Sequence, residues 1–388
     1  MKKICVVTGS RAEYGLMSRL MHLIDAETSW QLQIIATNTH LSPEFGLTYR
    51  EIEADGFTID RKVEMLLSSD TANGTAKSTG LGMIGLADAY ESLQPDLIVL
   101  LGDRYEMLAA ASAALLYKIP VAHISGGDVT EGAFDDAIRH SITKMSHLHF
   151  PSTEVYRNRI IQLGENPSTV FNVGALGVDN IRHLPLLGKE ELENTLAFSL
   201  DCPTLLVTFH PETLESHLAT EQLKELLRAL DAFPQTKILF THPNSDTQGR
   251  EIISLITEYV SAHPQRCAAY PSLGHLRYLS CLQYVSAVVG NSSSGVLEVP
   301  SFGIPTVNIG NRQKGRLKAS SVIDCECSEK AIEAAIRTAF SDEMAQTAAS
   351  TTNPYEQPDT ARRIVEILKQ QGDFRRLIPK YFYDLKQL

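Results

Sequence analysis

The sequence predicts an α/β protein made of two doubly wound domains that face each other across a cleft. Three observations carry the prediction. Short apolar runs alternate with longer amphipathic stretches along the whole chain, which is the rhythm of β-α-β units. Residues 97–101 are apolar without a break, as a strand buried on both faces of a parallel sheet should be. The chain has 388 residues, long for one core, and its rhythm weakens near 182–202 before starting again.

In the first half, strands are expected over 4–7, 33–36, 97–101, 121–124, 148–150 and 170–173, with helices over 107–116 and 136–145 among the connections. Residues 68–85 are rich in Ser, Thr, Gly and Asn and read as a loop at the cleft. Leu184-Pro185 and Cys202-Pro203 bracket a charged, helix-like piece, and the domain boundary is placed at 185/186. Strands then resume over 204–209, 237–240, 268–270, 287–289, 306–309 and 322–324, with a helix over 220–233. This second domain is taken to end at 365. Residues 360–370 read as a helix, 376–388 as another, and 366–388 as a helical tail.

Composition narrows the function. Hydrophobic residues make up 43% and charged residues 21%, ordinary values for a soluble globular chain. The formal net charge of -11 argues against a nucleic-acid surface, which needs a broad basic face. The apolar run behind Met1-Lys2-Lys3 is too short for a signal-peptide core or a membrane span. Six cysteines are scattered without a CxxC pair, so reduced thiols in a cytoplasmic protein are expected, with no disulfide or zinc framework.

The most informative stretch is 290–316. The apolar run Ala287-Val288-Val289 stops at Gly290-Asn291, and Ser292, Ser293, Ser294 and Gly295 lead into a helix expected from Val296. A strand that stops at such a turn leaves helix-start N–H groups free, and these form an anion site to which the serine hydroxyls add donors. Glu298 then suits the two hydroxyls of a ribose, and Arg312 the same anion. A pocket for a nucleoside diphosphate follows. The alternative is a serine-capped helix after an ordinary strand.

Other strand ends are also loaded. Thr8-Gly9-Ser10-Arg11 opens the first helix with a glycine turn and an arginine, without the spacing of a P-loop or dinucleotide fingerprint. Asp103 and Arg104 follow residue 101, where they either pair with each other or meet a ligand. After residue 121 come His123, Ser125, Gly126, Gly127, Asp128, Glu131, Asp135, Asp136 and Arg139. Asp135 and Arg139 share a helix face, while Asp135 and Asp136 also suit a helix start. The glycines admit close approach of a ligand, and crowded carboxylates raise one another's pKa, as proton abstraction at carbon requires. His210 and His242 stand at equivalent strand ends of the second half. His147 and His149 alternate on a strand, but no carboxylate neighbour in sequence completes a metal set.

With these loops in hand, the chain resembles the hydrolysing UDP-N-acetylglucosamine 2-epimerases of sialic acid synthesis and their relatives acting on a 2,4-diacetamido-trideoxy sugar for legionaminic acid. TGSRAEYG, LGDRYE, the GGD…DDAIRHSITKMSHLH block, FHPETL, GNSSSGVLEVP and NIGNRQKGR fall in the family's order. The resemblance implies two Rossmann-like domains of GT-B-like type with the active site between them. It implies UDP contacts at Arg11, Arg104, His210, Asn244, Ser292, Ser293, Glu298 and Arg312, and a homodimer or homotetramer. It places acid/base positions on Asp103, Ser125 and Asp135. Many members carry a glutamate where Ser125 stands, so Asp128 and Glu131 are candidate substitutes, beside His210. No metal and no cofactor are implied. The expected reaction removes the C2 proton as UDP leaves C1, then adds water to the glycal with inversion at C2. Rival readings are a glycosyltransferase of the same architecture and a non-catalytic UDP-sugar-binding protein.

Overall fold

A computed structural model describes residues 1–67, 71–130, 134–210, 219–242 and 249–385. It divides into two compact units. One comprises Met1–Asp128, Phe134–Asn180 and the chain from Gln357 onward, and the other Ile181–Glu356 together with Val129 and Thr130.

The first unit runs β1 (Lys2–Thr8), α1 (Arg11–Asp25), β2 (Trp30–Thr37), α2 (Tyr49–Ala54), β3 (Arg61–Val63), α3 (Ala72–Leu93), β4 (Leu97–Leu101), α4 (Tyr105–Tyr117), β5 (Val121–Ile124), α5 (Phe134–Met145), β6 (Leu148–Phe150) and α6 (Glu154–Gln162), and α7 (Leu176–Ile181) leads out of it. The sheet is parallel throughout, in the order β3-β2-β1-β4-β5-β6. Chain direction reverses between β1 and β4, where Ile4 lies beside Leu97 and Val6 beside Val99. In such sheets the carboxyl ends at the reversal leave a crevice, because the two connecting helices leave to opposite faces. The polar segments after Thr8 and Leu101 are therefore neighbours.

The second unit repeats this plan: α8 (Lys189–Leu196), β7 (Thr204–Thr208), α9 (Ala219–Asp231), β8 (Lys237–Thr241), α10 (Gly249–Ala262), β9 (Cys267–Tyr270), α11 (Gly274–Cys281), β10 (Ala287–Gly290), α12 (Ser294–Leu297), β11 (Thr306–Ile309), β12 (Val322–Cys325), α13 (Glu329–Ala339) and α14 (Asp342–Ser350). Its parallel sheet has the order β12-β11-β10-β7-β8-β9, with the reversal between β10 and β7. Each sheet is buried on both faces. Val6, Val99 and Ile124 face one core of the first unit, and Val7, Leu100 and Val121 the other.

Three expectations need correction, and one strand was not expected. Of the loop expected over 68–85, residues 68–70 lie outside the described residues and the rest is helical: α3 starts at Ala72, capped by Thr71 Oγ1, which accepts the Gly74 N–H at 3.1 Å. Two of its glycines are packing residues, since a Cβ on Gly82 would stand 2.7 Å from Met65 Cε and one on Gly85 2.7 Å from Val63 Cγ1. Residues 170–173 form only a single bridge, His149 to Val170, and not a strand. The edge strand β3, Arg61-Lys62-Val63, has no apolar run to announce it. Residues 376–388 do not form a helix over their described part: a 3-10 turn (Phe374–Leu377) is followed by irregular chain, in which Lys380 Nζ donates to the carbonyls of Lys144 (2.7 Å) and Ser146 (2.6 Å).

The sequence-based limit at 365 falls inside the last helix, α15 (Thr360–Gln370). That helix belongs to the first unit because Ala361, Ile364, Val365 and Leu368 fill its core beside Met17, Leu20 and Ile24 of α1. Asp179 caps it, accepting the N–H groups of Thr360 (3.1 Å) and Ala361 (3.0 Å).

Candidate active site

In the first unit the site is organised by Arg139. Its side chain is 2% exposed, and α5 aims it at the loop after β4. There the guanidinium binds the Asp103 carboxylate; it also donates to the Asp128 carbonyl at 3.0 Å and to Asp136 Oδ1 at 3.3 Å. Burial works against its charge, but Asp103, Asp128 and Asp136 outweigh burial and the group stays cationic. Asp103 thus pairs with Arg139, not with its neighbour Arg104, correcting one of the two expectations for that dipeptide. Arg104 instead donates from Nε to Glu106 Oε1 at 2.6 Å.

The Asp103 loop is fixed from behind by His123. Its Nε2 lies 2.8 Å from the Gly102 carbonyl and its Nδ1 3.2 Å from Thr143 Oγ1. A carbonyl only accepts, so Nε2 carries the hydrogen and Nδ1 accepts from the threonine hydroxyl. Burial lowers the pKa of this imidazole to about 4, which keeps it neutral.

The next loop departs from expectation. Gly126 and Gly127 are explained by packing rather than by a ligand: a Cβ on Gly126 would stand 2.9 Å from Thr143 Oγ1, and one on Gly127 2.5 Å from the Tyr156 carbonyl. Ser125 adopts φ 63°, a left-handed conformation that costs a non-glycine residue energy and marks strain at this turn. Asp128 is 7% exposed and Asp135 and Asp136 are half-buried in the first turn of α5. Glu131 lies outside the described residues.

Arg11 sits on the surface at the start of α1, with its Nε 3.0 Å from Glu51. His149 does have a carboxylate neighbour: Nε2 is 3.0 Å from Glu165 Oε2. Burial raises the Glu165 pKa, but His149, Lys144 and Lys380 overcome this and hold it at about 2, so the cluster is an ion-pair network that ties down the C-terminal segment.

In the second unit the polar groups meet at the β10/β7 reversal. Asn291 is 1% exposed and links the two strand ends: its Oδ1 accepts the His210 N–H at 2.7 Å and its Nδ2 donates to the His210 carbonyl at 2.8 Å. Its own carbonyl accepts from Arg312 Nη1 (3.1 Å) and Gln313 Nε2 (2.9 Å). This places Arg312 beside the serine turn. The N–H groups of Ser292, Ser293 and Ser294 find no acceptor among the described residues. They are the free donors that the sequence pattern predicts. The helix is shorter than expected, however: α12 has four residues, and Glu298 is its C-cap, accepting from Ser294 Oγ. An anion held here would therefore meet three local N–H dipoles rather than a long helix dipole. Burial, then Arg312, lowers the His210 pKa to about 3, so the ring is neutral, and its Nδ1 has no partner among the described residues. Asn244 lies outside the described residues.

Sequence reasoning did not assign roles to Glu13, Glu106, His123, Asn291 or Gln313. Only Asn291 had a usable signal, as the first polar residue after an apolar run that ends in glycine.

Two Rossmann-like units, each with its polar cluster at the strand reversal, define an α/β protein of the GT-B-like class. A profile of the UDP-N-acetylglucosamine 2-epimerase family matches residues 22–369, and the chain belongs to that family. It is 41% identical over 384 residues, 99% of both chains, to a Campylobacter jejuni protein described as GDP/UDP-N,N'-diacetylbacillosamine 2-epimerase (hydrolyzing). It is 38% identical to the polysialic acid biosynthesis protein P7 of Escherichia coli, covering 100% of this chain and 98% of that one. The solved structure of a Neisseria meningitidis UDP-N-acetylglucosamine 2-epimerase bound to UDP-N-acetylglucosamine shares the fold, with a TM-score of 0.80 and 18% identity over 95% of this chain and 100% of that one.

Proposed function

We propose that this chain is a hydrolysing UDP-sugar 2-epimerase that converts UDP-N-acetylglucosamine and water to N-acetylmannosamine and UDP. The observation that carries the reading is the buried Arg139 of α5, which gathers Asp136 of its own helix and Asp103 from the end of β4, where a carbon acid would need a base. UDP binding is assigned to Ser292, Ser293, Glu298, Arg312 and His210 of the second unit, with Arg11, Arg104 and Asn244. Asp103 and Asp135, with Asp128, Glu131 and His210, are the acid/base groups.

In the proposed reaction a base takes the C2 proton as the C1–O bond breaks. The electron pair leaves with UDP, and C1=C2 forms. Water then gives its oxygen to C1, and a proton returns to C2 on the opposite face. Arginines and backbone N–H groups neutralise the leaving diphosphate as charge develops on it. The names of two relatives favour a second sugar. The Campylobacter protein and a Legionella pneumophila protein 35% identical over 368 residues are both described as acting on a diacetylbacillosamine nucleotide. A homodimer or homotetramer is proposed through α3 and α4, which expose Leu81, Ile84, Leu115 and Leu116.

Incubation with each UDP-sugar in deuterated water, without an acceptor, tests this reading. Free sugar with one deuteron at C2 and an equivalent of UDP is expected. Retained protium at C2 removes the elimination route. UDP release only when an acceptor is present identifies a glycosyltransferase, and binding without turnover a sensor.

A further inference from the structure

Beneath the turn that follows β1, two glutamates lie in the core without a full set of partners. Glu13 of α1 is 7% exposed and Glu106 of α4 is fully buried. Both converge on Gly9. The Gly9 N–H donates to Glu13 Oε2 at 2.7 Å, and Glu106 Oε1 lies 2.5 Å from where a Cβ on Gly9 would stand. Glu106 Oε1 also accepts from Arg104 Nε at 2.6 Å. The other two oxygens, Glu13 Oε1 and Glu106 Oε2, are sealed from water and have no donor among the described residues. Two ionised carboxylates in one dry pocket with one guanidinium would leave an uncompensated buried charge. One hydrogen retained by the pair removes that charge.

We infer that Glu13 and Glu106 work as a single acid–carboxylate pair, in which Glu13 keeps its hydrogen on Oε1 for Glu106 Oε2, and the remaining single charge on Glu106 positions Arg104 and the loop that carries Asp103. Glu13 and Glu106 are positioning residues here, since they act through Arg104. The inference rests on the proposed reaction only in taking Arg104 and Asp103 as groups that reaction uses. The charged groups facing Glu13 agree with a retained hydrogen. Burial, then Glu106, raise its pKa to about 8; Arg104 and the Gly9 N–H oppose this, and Asp103 adds to it. Once the hydrogen is lost, two like charges repel beneath Arg104 and the loop loses its alignment.

Two measurements test the pair. Infrared spectroscopy of the wild-type protein is expected to show a protonated-carboxyl stretch at pH 7 that disappears by pH 10 and is missing from Glu13→Gln. UDP release is then followed against pH. Between pH 7 and pH 9 wild-type kcat/KM is expected to fall about tenfold, as for one group titrating near 8. Glu13→Gln, whose N–H cannot be titrated away, is expected to keep its own rate within about twofold over that range. No protonated-carboxyl band in the wild type at pH 7, or an unchanged alkaline fall in Glu13→Gln, overturns the pair. Should Glu13→Gln not fold, the wild-type infrared titration decides alone. Absence of UDP release from the wild type at every pH sinks the proposed reaction, while the infrared result still decides the pair.

Discussion

Arg139 shows how one residue binds two parts of the proposed chemistry together. A guanidinium at 2% exposure survives burial only when its acceptors are in place, and here they come from the loops after β4 and β5 and from its own helix. Replacing it with Met leaves Asp103 without its partner. That substitution is expected to cost about 3–5 kcal/mol in urea unfolding, the penalty for breaking a buried pair. Asp103→Asn and Asp135→Asn are each expected to lower turnover at least ~100-fold in a UDP-release assay while the circular dichroism spectrum stays native. Near-normal turnover in both variants would remove them from the acid/base set. Arg139→Lys should not restore the site, because an ammonium cannot reproduce the planar fork that reaches acceptors on separate segments.

At the scale of the element, the end of β10 is set by Gly290. Its φ of 139° lies where side chains are rarely found, and an added Cβ would collide with the Thr208 carbonyl of β7. Gly290→Ala is therefore expected to destabilise the protein by about 2–3 kcal/mol and to weaken UDP binding, because the serine turn starts at the next residue. Unfolding in urea and titration calorimetry with UDP check the two halves. The same element shows what a sequence displays. Residues 97–101 are readable to the residue because a strand buried on both faces needs an unbroken apolar run; 121–124, 148–150 and 306–309 also match to the residue, although His123, His149, Thr306 and Asn308 interrupt their apolar runs. Edge strand β3 needs no such run and was missed. Gly82 and Gly85 of α3 read as a loop because their reason, the close passage of Met65 and Val63, lies outside the helix itself. The site divides in the same way. Asp103, His210 and the serines were visible as polar residues at the ends of apolar runs. The meeting of Glu13 with Glu106 requires that β1 and β4 be neighbours, and nothing local in either segment states the strand order.

Across the whole molecule, buried ionisable groups give opposite pH slopes. Burial lowers His40, His123 and His147 to about 4 and His210 to about 3. In the unfolded chain these rings take up protons below about 6.5, which the folded rings refuse. Their stabilising contribution is therefore present above about pH 6.5 and lost as pH falls through about 4. Glu13 acts in the other direction: its folded form holds a proton from about 4.5 to about 8 that the unfolded chain releases, so stability falls as pH rises across that window. Urea midpoints followed by circular dichroism from pH 4 to 9 are expected to peak near neutrality, with the alkaline decline reduced in Glu13→Gln. A midpoint that is flat over the whole range would contradict both assignments.

The first core takes Ala361, Ile364, Val365, Leu368 and Phe374 from the far end of the chain. During translation those side chains leave the ribosome after every strand of both sheets. The second unit, Ile181–Glu356, has all its strands available before then, while the amino-terminal sheet waits with the seat for α15 on α1 still empty. The part synthesised first is thus completed last, and a message truncated before Gln357 yields a finished second half joined to an open first one.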